Sequence, residues 1–488
     1  MESENMAYLH GTYGQFDKSI GLVPVATDTI PVYVGIAPVN LARGYKSLGV
    51  INAPLRLLNM SAVQANFGYS DDWTKFTLCE AFKIHFANDI QNVGPVIAIN
   101  VLDPEIHKKA EATTQSLTFV NGRATITSDT IILDTLVLAG KIEGTDFAID
   151  YDFTKGQVII DSLAEDITGE INATYNEVDT SKITKEDIIG GVTASGVYTG
   201  LGCVGLVYPE LGLIPNIICC PSYSHNPDVY KAMLQAGTNI NGHWDAVINA
   251  DLAIDGVDTI AKAIQQKDDS DYSSERAKVY WPMWQLKDGT VYHLSSIATW
   301  LMCQVDGTHK GVPMESPSNK EIPAGRQYFG ADSTNKGYDQ QTSNQLNEAG
   351  ITTAIYWAGK NVLWGPHTAA YRYGLVDDGR TIFDVSIRMM MHITNDFQRE
   401  HADKIDCPMT KSLADSIRIR EQEKLDAYVA QGALIGEPIV EFKESENPST
   451  QLMEGDFVWN IKQTPTPPFK SGTVKVAYTD AGFSAYYE

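Results

Sequence analysis

Short runs of apolar, mostly β-branched residues recur along this chain, separated by segments long enough to form a helix. The runs occupy residues 30–38, 93–102, 216–220, 245–253 and 278–286. Strands buried on both faces of a sheet have this continuous apolar pattern, and parallel neighbours need a crossover connection between them. The sequence therefore predicts an α/β fold with a mostly parallel sheet.

The pattern changes to alternation in the stretch from residue 115 to residue 179. In residues 147–153 (FAIDYDF), large apolar side chains alternate with small or acidic ones, and Lys155 and Gly156 supply a turn before the next apolar run. Strands with one buried face have this period of two. We interpret residues 115–179 as a small all-β domain inserted into the α/β domain.

The C-terminal third carries two segments with apolar residues at helical spacing. Their stripes consist of Ile382, Val385, Met389, Ile393 and Phe397 in the first segment and of Leu413, Ile417, Leu425 and Tyr428 in the second. Both stripes predict helices that face a core. Before them, residues 324–345 are rich in Gly, Asn, Ser and Gln, which predicts a long surface loop.

Both ends of the chain lack the apolar content of a core and are predicted to be extended arms. A chain of 488 residues also exceeds what one hydrophobic core usually supports. We therefore predict an N-terminal arm (1–29), an α/β core (30–114 and 180–365), the inserted β domain (115–179), a C-terminal inner domain (366–470) and a C-terminal arm (471–488).

The chain is acidic, with 61 Asp and Glu against 37 Lys and Arg and a formal net charge of −24. This charge repels phosphate backbones and anionic membrane surfaces, so we do not expect nucleic acid as a partner. No window reaches the uninterrupted apolar length of a membrane span, so we expect no membrane insertion. The first residues lack the basic segment and apolar run of a secretory signal. We expect assembly in a cytoplasm, compatible with later release in a particle on lysis.

The sequence shows no P-loop, GxGxxG after a strand, HExxH, GxSxG or EF-hand motif. Its six cysteines form no CxxC pair, and its ten histidines form no metal-binding i,i+4 pair, so we predict no metal and no cofactor. A serine hydrolase remains an alternative, with Asp245, His293 and Ser295 as its triad. It requires these side chains to meet in a cleft.

Four sequence patches span most of the chain in a fixed order. They are YLHGTYG with PVYVGIAP (8–14 and 31–38), Phe67-Gly68 with a helix ending in FAN (86–88), GTHKGVPMESPSNK (307–320) and NVLWGPHT (361–368). Together they resemble contractile tail sheath proteins of bacteriophages and phage-tail-like bacteriocins. The chain departs from that family's pattern after Trp364 and Gly365, where Pro366 and His367 replace the usual Arg-Thr pair.

The resemblance implies a subtilisin-like α/β core without catalytic residues, an inserted β-sandwich and a small C-terminal α/β domain. It also implies hexameric rings stacked into a helical sheath around an inner tail tube protein, with baseplate and tail terminator proteins at the ends. Such a subunit belongs to a virion tail or a released phage-tail-like particle. The implied inter-subunit arm strands contain Tyr8, Tyr13, Val474, Val476 and Tyr478.

In the family, a helix of the inner C-terminal domain faces the tube, and the segment 410–431 is our prediction for it. Lys411 and Arg418 lie on its polar face and are the predicted tube contacts. An ordinary solvated face is the alternative, since the segment's basic and acidic residues balance. A cell-surface adhesion protein using the β domain is a further alternative, against which the missing secretion signal argues.

Overall fold

The computed structural model describes residues 25–163, 167–375 and 378–487, so Tyr8 and Tyr13 lie outside the described residues. The strands are β1 Val25–Ala26, β2 Pro31–Gly35, β3 Pro54–Leu57, β4 Val93–Gly94, β5 Val96–Asn100, β6 Thr113–Phe119, β7 Arg123–Thr127, β8 Val137–Leu138, β9 Phe147–Asp152, β10 Gln157–Ser162, β11 Gly169–Tyr175, β12 Gly191–Val192, β13 Tyr198–Thr199, β14 Ile217–Cys219, β15 Val247–Asp251, β16 Ala277–Tyr280, β17 Met283–Leu286, β18 Val291–Tyr292, β19 Gly325–Tyr328, β20 Ile351–Trp357, β21 Lys360–Trp364, β22 Ile439–Glu441 and β23 Asn460–Lys462. The α-helices are α1 Tyr45–Leu48, α2 Met60–Phe67, α3 Leu78–Phe86, α4 Lys185–Ile189, α5 Val207–Leu211, α6 Pro227–Ala236, α7 Ile260–Asp269, α8 Leu294–Thr308, α9 Gln340–Glu348, α10 Asp384–His401, α11 Lys411–Gln431 and α12 Ser449–Glu454.

An eight-stranded sheet forms the centre of the molecule, in the order β21-β20-β16-β15-β14-β2-β5-β3. The strands from β20 to β5 are parallel, and β21 and β3 are antiparallel to their neighbours. Every residue of β2, β5 and β15 is buried, because helices cover both faces of a parallel sheet. The prediction of an α/β fold with a mostly parallel sheet is confirmed.

Both edges of this sheet are protected against a further strand. Along β21, a neighbouring segment is already bonded: Asn319 N–H donates to Leu363 O at 2.6 Å and Leu363 N–H donates to Lys320 O at 3.1 Å. At the other edge, β3 is short, begins with Pro54 and carries the exposed Arg56. Short length, proline and charge all discourage strand addition.

Two local predictions were wrong. The apolar run 278–286 is two strands in different sheets, because Pro282 has no N–H to continue the ladder between β16 and β17. The predicted loop 324–345 contains β19 and the start of α9. Gly325 allows β19 to lie close to the Gln285 carbonyl, and Asp339 caps α9 by accepting from Thr342 N–H at 2.7 Å.

The inserted region folds as two three-stranded antiparallel sheets, β7-β10-β9 and β6-β11-β8. Their inward residues form an apolar cluster separate from the main core, with Phe147, Tyr151 and Val158 among its members. The predicted alternation in residues 147–153 is therefore confirmed as that of a strand with one buried face.

The C-terminal region contains α10, α11 and the two-stranded sheet β22-β23 around a third apolar cluster. Met389, Ile393 and Leu425 from the predicted stripes lie in this cluster. On α10, Ile387 and Met391 instead pack into the main core, so this helix contacts both clusters. Among the described residues, no helix is long and apolar enough to cross a bilayer.

Candidate functional site

The C-terminal segment 471–487 projects its apolar side chains into solvent. Val474, Val476 and Tyr478 are 84%, 88% and 84% exposed. No strand includes these three residues. Residues 472–479 make no backbone hydrogen bond to any residue that the structure describes. The alternation places the three side chains on one face of an extended chain. This segment has the pattern of a strand without a sheet.

The two-stranded sheet β22-β23 has one covered edge. Val440 N–H donates to Oε1 of Gln422 on α11 at 3.0 Å, and Gln422 Nε2 donates to Pro438 O at 2.9 Å. The side chain of Gln422 thus occupies the outer edge of β22. Val440 N–H must point away from β23 to make this bond.

The other edge of this sheet, on β23, is open. Ile461 is the partner of Val440 in the antiparallel register, so its N–H also points away from the shared ladder. By alternation the N–H of Gln463 points the same way, and neither amide has a partner among the described residues. Pro465, Pro467 and Pro468 follow and end the edge. A short strand could add along residues 461–463.

Helix α11 presents its four basic residues in two ways. Arg420 pairs with Glu400 of α10, and Lys424 lies 2.8 Å from Asp396 and 2.7 Å from Glu400. Burial would lower the pKa of Lys424, but these carboxylates raise it.

The other two basic residues of α11 are Lys411, which is exposed, and Arg418, which is half-buried. Neither makes an ion pair with a residue in the described ranges. The predicted tube contacts are thus the two cations of this helix that α10 does not use.

The structure does not bring the predicted triad together. Ser295 Oγ donates to Asp251, whereas His293 Nδ1 lies 2.8 Å from Glu80 Oε2. Asp245 is elsewhere, where it accepts from Arg276. The grouping of Asp245, His293 and Ser295 as one site is therefore wrong.

The cluster around Ser295 fastens helix α8 to the sheet. Asp251, at the end of β15, also accepts from Ser295 N–H at 3.0 Å, and Ser295 is fully buried. Burial would lower the pKa of His293, but Glu80 and then Asp251 raise it to about 9. His293 is therefore a cation paired with Glu80 at neutral pH. In the residues that the structure describes, no group of three or more His, Cys, Asp or Glu is arranged to hold a metal.

Helix α10 is joined to the main core by two buried ion pairs that the sequence analysis missed. Arg388 pairs with Asp306 at the end of α8, and Lys278 of β16 lies 2.8 Å from Asp384. Charged side chains on an otherwise apolar helix face were the available signal, because charges are rarely buried without a partner.

Comparisons with known proteins confirm the resemblance that the sequence motifs indicate, although no family model matches the chain. The chain is 28% identical to the tail sheath protein of Burkholderia phage BcepMu over 97% of both chains. It is 23% identical to the major tail sheath protein of Serratia phage KSP20 over 63% of this chain and 75% of that protein.

Solved structures share the fold. A chain in the cryo-EM structure of the anti-feeding prophage baseplate matches with a TM-score of 0.57 at 13% identity, over 97% of this chain and 100% of that one. A chain in the sheath complex of an extracellular contractile injection system, PVC, in its contracted state matches with a TM-score of 0.53 at 11% identity. The match covers 98% of this chain and 100% of that one. At these identities the likeness concerns the fold alone.

Proposed function

We propose that this chain is the sheath subunit of a contractile tail, which polymerises around an inner tube and contracts to drive that tube through a target cell envelope. The observation that carries the proposal is the similarity to a phage tail sheath protein along 97% of both chains. The match therefore extends over the inserted β region and the C-terminal region as well as the α/β core.

We infer that subunits are linked by strand exchange. The exposed alternating residues Val474, Val476 and Tyr478 would add as a strand to the β23 edge of a neighbour, next to Gln463. The protected edges of the central sheet support β23 as the acceptor. Main-chain hydrogen bonds hold such a strand, and the extended segment before it lets neighbours rotate without separating.

Strand exchange of this kind does not require a two-fold symmetric contact between the donor and the acceptor subunit. A contact in which each subunit gives its arm to the next is heterologous, and such contacts generate rings or helical polymers. Stacked hexameric rings with an extended and a contracted packing would then store the work of contraction. The partners are further copies of the chain, the inner tube protein, and the baseplate and terminator proteins at the ends.

Assembly rather than catalysis is the function that the side chains support. Ser295 is buried against Asp251, and His293 is paired with Glu80, so neither is poised to act on a substrate. In our proposal the α/β core is a subtilisin-like scaffold carrying the inserted domain 115–179, and the inner domain 366–470 faces the tube. The particle is a virion tail or a phage-tail-like body assembled in a bacterial cytoplasm.

Electron microscopy of the purified full-length protein tests this function. We expect negatively stained samples to contain long striated tubes, since the chain carries both the arm and its acceptor edge. A protein that stays monomeric under all solution conditions, including in the presence of its tube protein, would contradict the proposal.

Charge reversal of Lys411 and Arg418 tests the tube contact. The variant K411E/R418E is expected to fold normally but to assemble poorly on tube, or to form empty contracted sheath. Each exposed pair contributes only about 0.2 to 1 kcal/mol and is screened by salt, but the contact repeats in every subunit. The measurement is the fraction of extended, tube-filled particles at low and moderate salt.

The matched control reverses two other exposed lysines, Lys231 on α6 and Lys287 after β17. It changes the net charge equally and should leave extended particles unchanged. Normal extended particles from K411E/R418E at both salt concentrations would remove this face of α11 from the tube contact.

A further inference from the structure

The ion pair between Arg388 and Asp306 is buried but incompletely bonded. Arg388 is 5% exposed and Asp306 is 0% exposed. Asp306 Oδ2 accepts from Arg388 Nη2 and from Thr29 Oγ1, the latter at 2.7 Å. Two further atoms of the pair, Arg388 Nη1 and Asp306 Oδ1, have no hydrogen-bond partner among the described residues. A buried polar atom without a partner destabilises the fold, and more so when it belongs to a charged group.

A cavity adjoins these two side chains. Its volume is about 30 Å³, and Thr29, Asn216 and Val247 also line it. A cavity of at least about 10 to 15 Å³ holds one water molecule when polar groups line it. Asn216 and Gly311 also line an open crevice of about 370 Å³, so this crevice adjoins the cavity.

The chemistry of the two unpartnered atoms selects the ligand. Arg388 Nη1 needs an acceptor, and Asp306 Oδ1 needs a donor. Asp306 and Asp245, which both line the cavity, would repel an anion and Arg388 would repel a cation, whereas water both donates and accepts. We propose that this cavity is a binding site for ordered water, which completes the hydrogen bonding of the ion pair where α10 meets the α/β core.

The second ion pair of α10, between Lys278 and Asp384, shows why we place the water beside Arg388 and Asp306 and not at both pairs. Lys278 Nζ uses all three of its protons, on Asp384 at 2.8 Å, Gly365 O at 3.0 Å and His367 O at 3.2 Å. The cavity beside it, which Arg388 and Val247 also line, measures only about 10 Å³. This pair needs no water, and the adjacent space is at the lower limit for one.

A density map of the full-length protein, as a crystal or a particle, at a resolution that shows ordered water tests the site directly. We expect a peak within hydrogen-bond distance of Arg388 Nη1 and Asp306 Oδ1. An empty cavity would overturn the proposal, as would an Asp306 carboxylate turned so that both its oxygens bond the guanidinium.

A pair of isosteric substitutions gives an independent readout. Val247 and Val279, on the neighbouring strands β15 and β16, are both buried in the main core, but of the two only Val247 lines the cavity. We expect V247T to lower the midpoint of thermal unfolding much less than V279T, since the new hydroxyl at position 247 can bond the water. Equal losses in the two variants would show a dry cavity and overturn the proposal.

Discussion

A chain shortened to end at Lys470 is expected to fold and melt cooperatively as a monomer but to form no tubes. The removed side chains of Val474, Val476 and Tyr478 are more than 80% exposed, so their removal costs the monomer little packing. Burying each of them in a neighbour contributes about 1.5 to 3 kcal/mol. The deletion therefore removes roughly 5 kcal/mol per contact, which is more than about a thousandfold in affinity.

The reason for the loss is tested by substitutions on the two faces of the arm. Replacing Val474, Val476 and Tyr478 by Ser should abolish tubes as the deletion does. The control makes the same replacement at Lys475 and Ala477, whose side chains lie on the other face of the extended arm. This control should still form tubes. Assembly is followed by sedimentation and negative stain, and folding by thermal melting. Tubes of normal length from the shortened chain would exclude strand exchange at this terminus.

Local composition was enough to predict the central strands. In β2 and β5 every residue is buried, so an unbroken apolar run is itself the signal for a strand covered on both faces. The same reasoning failed for residues 324–345. Polar β19 is a strand only because β17, distant in sequence, supplies its hydrogen bonds, and no local pattern encodes that partner.

The polar contacts could not be predicted from the sequence, for a related reason. Glu80 and His293 are separated by 213 positions, and nothing in the sequence indicates that a carboxylate in α3 neutralises that histidine. Long-range pairing also decides which basic residues of α11 are already engaged by carboxylates of α10. The sequence shows four basic residues in this helix, but only the fold of α10 against it reveals that Arg420 and Lys424 are already paired.

The acceptor edge gives the second large effect. Replacing Gln463 by proline is expected to abolish tubes, because proline removes one of the two outward N–H groups, those of Ile461 and Gln463, that an incoming strand would use. The fold should survive, since proline is tolerated on an edge strand where the N–H faces solvent, and Lys462 is already extended. The matched control is Q463A, which removes the same side chain but keeps the N–H, and it should form normal tubes.

Mixing the two defective chains separates strand exchange from general damage. The Q463P chain keeps its arm but has an acceptor edge that lacks the N–H of residue 463, and the chain ending at Lys470 keeps its acceptor but has no arm. The strand exchange that remains joins the arm of the Q463P chain to the β23 edge of the shortened chain. The mixture should therefore form a 1:1 complex, measured by sedimentation velocity, and no tubes. Each variant alone should remain a monomer. If the mixture shows no complex, or if Q463P alone forms tubes, the β23 edge is not the acceptor, and the search moves to the other small sheets.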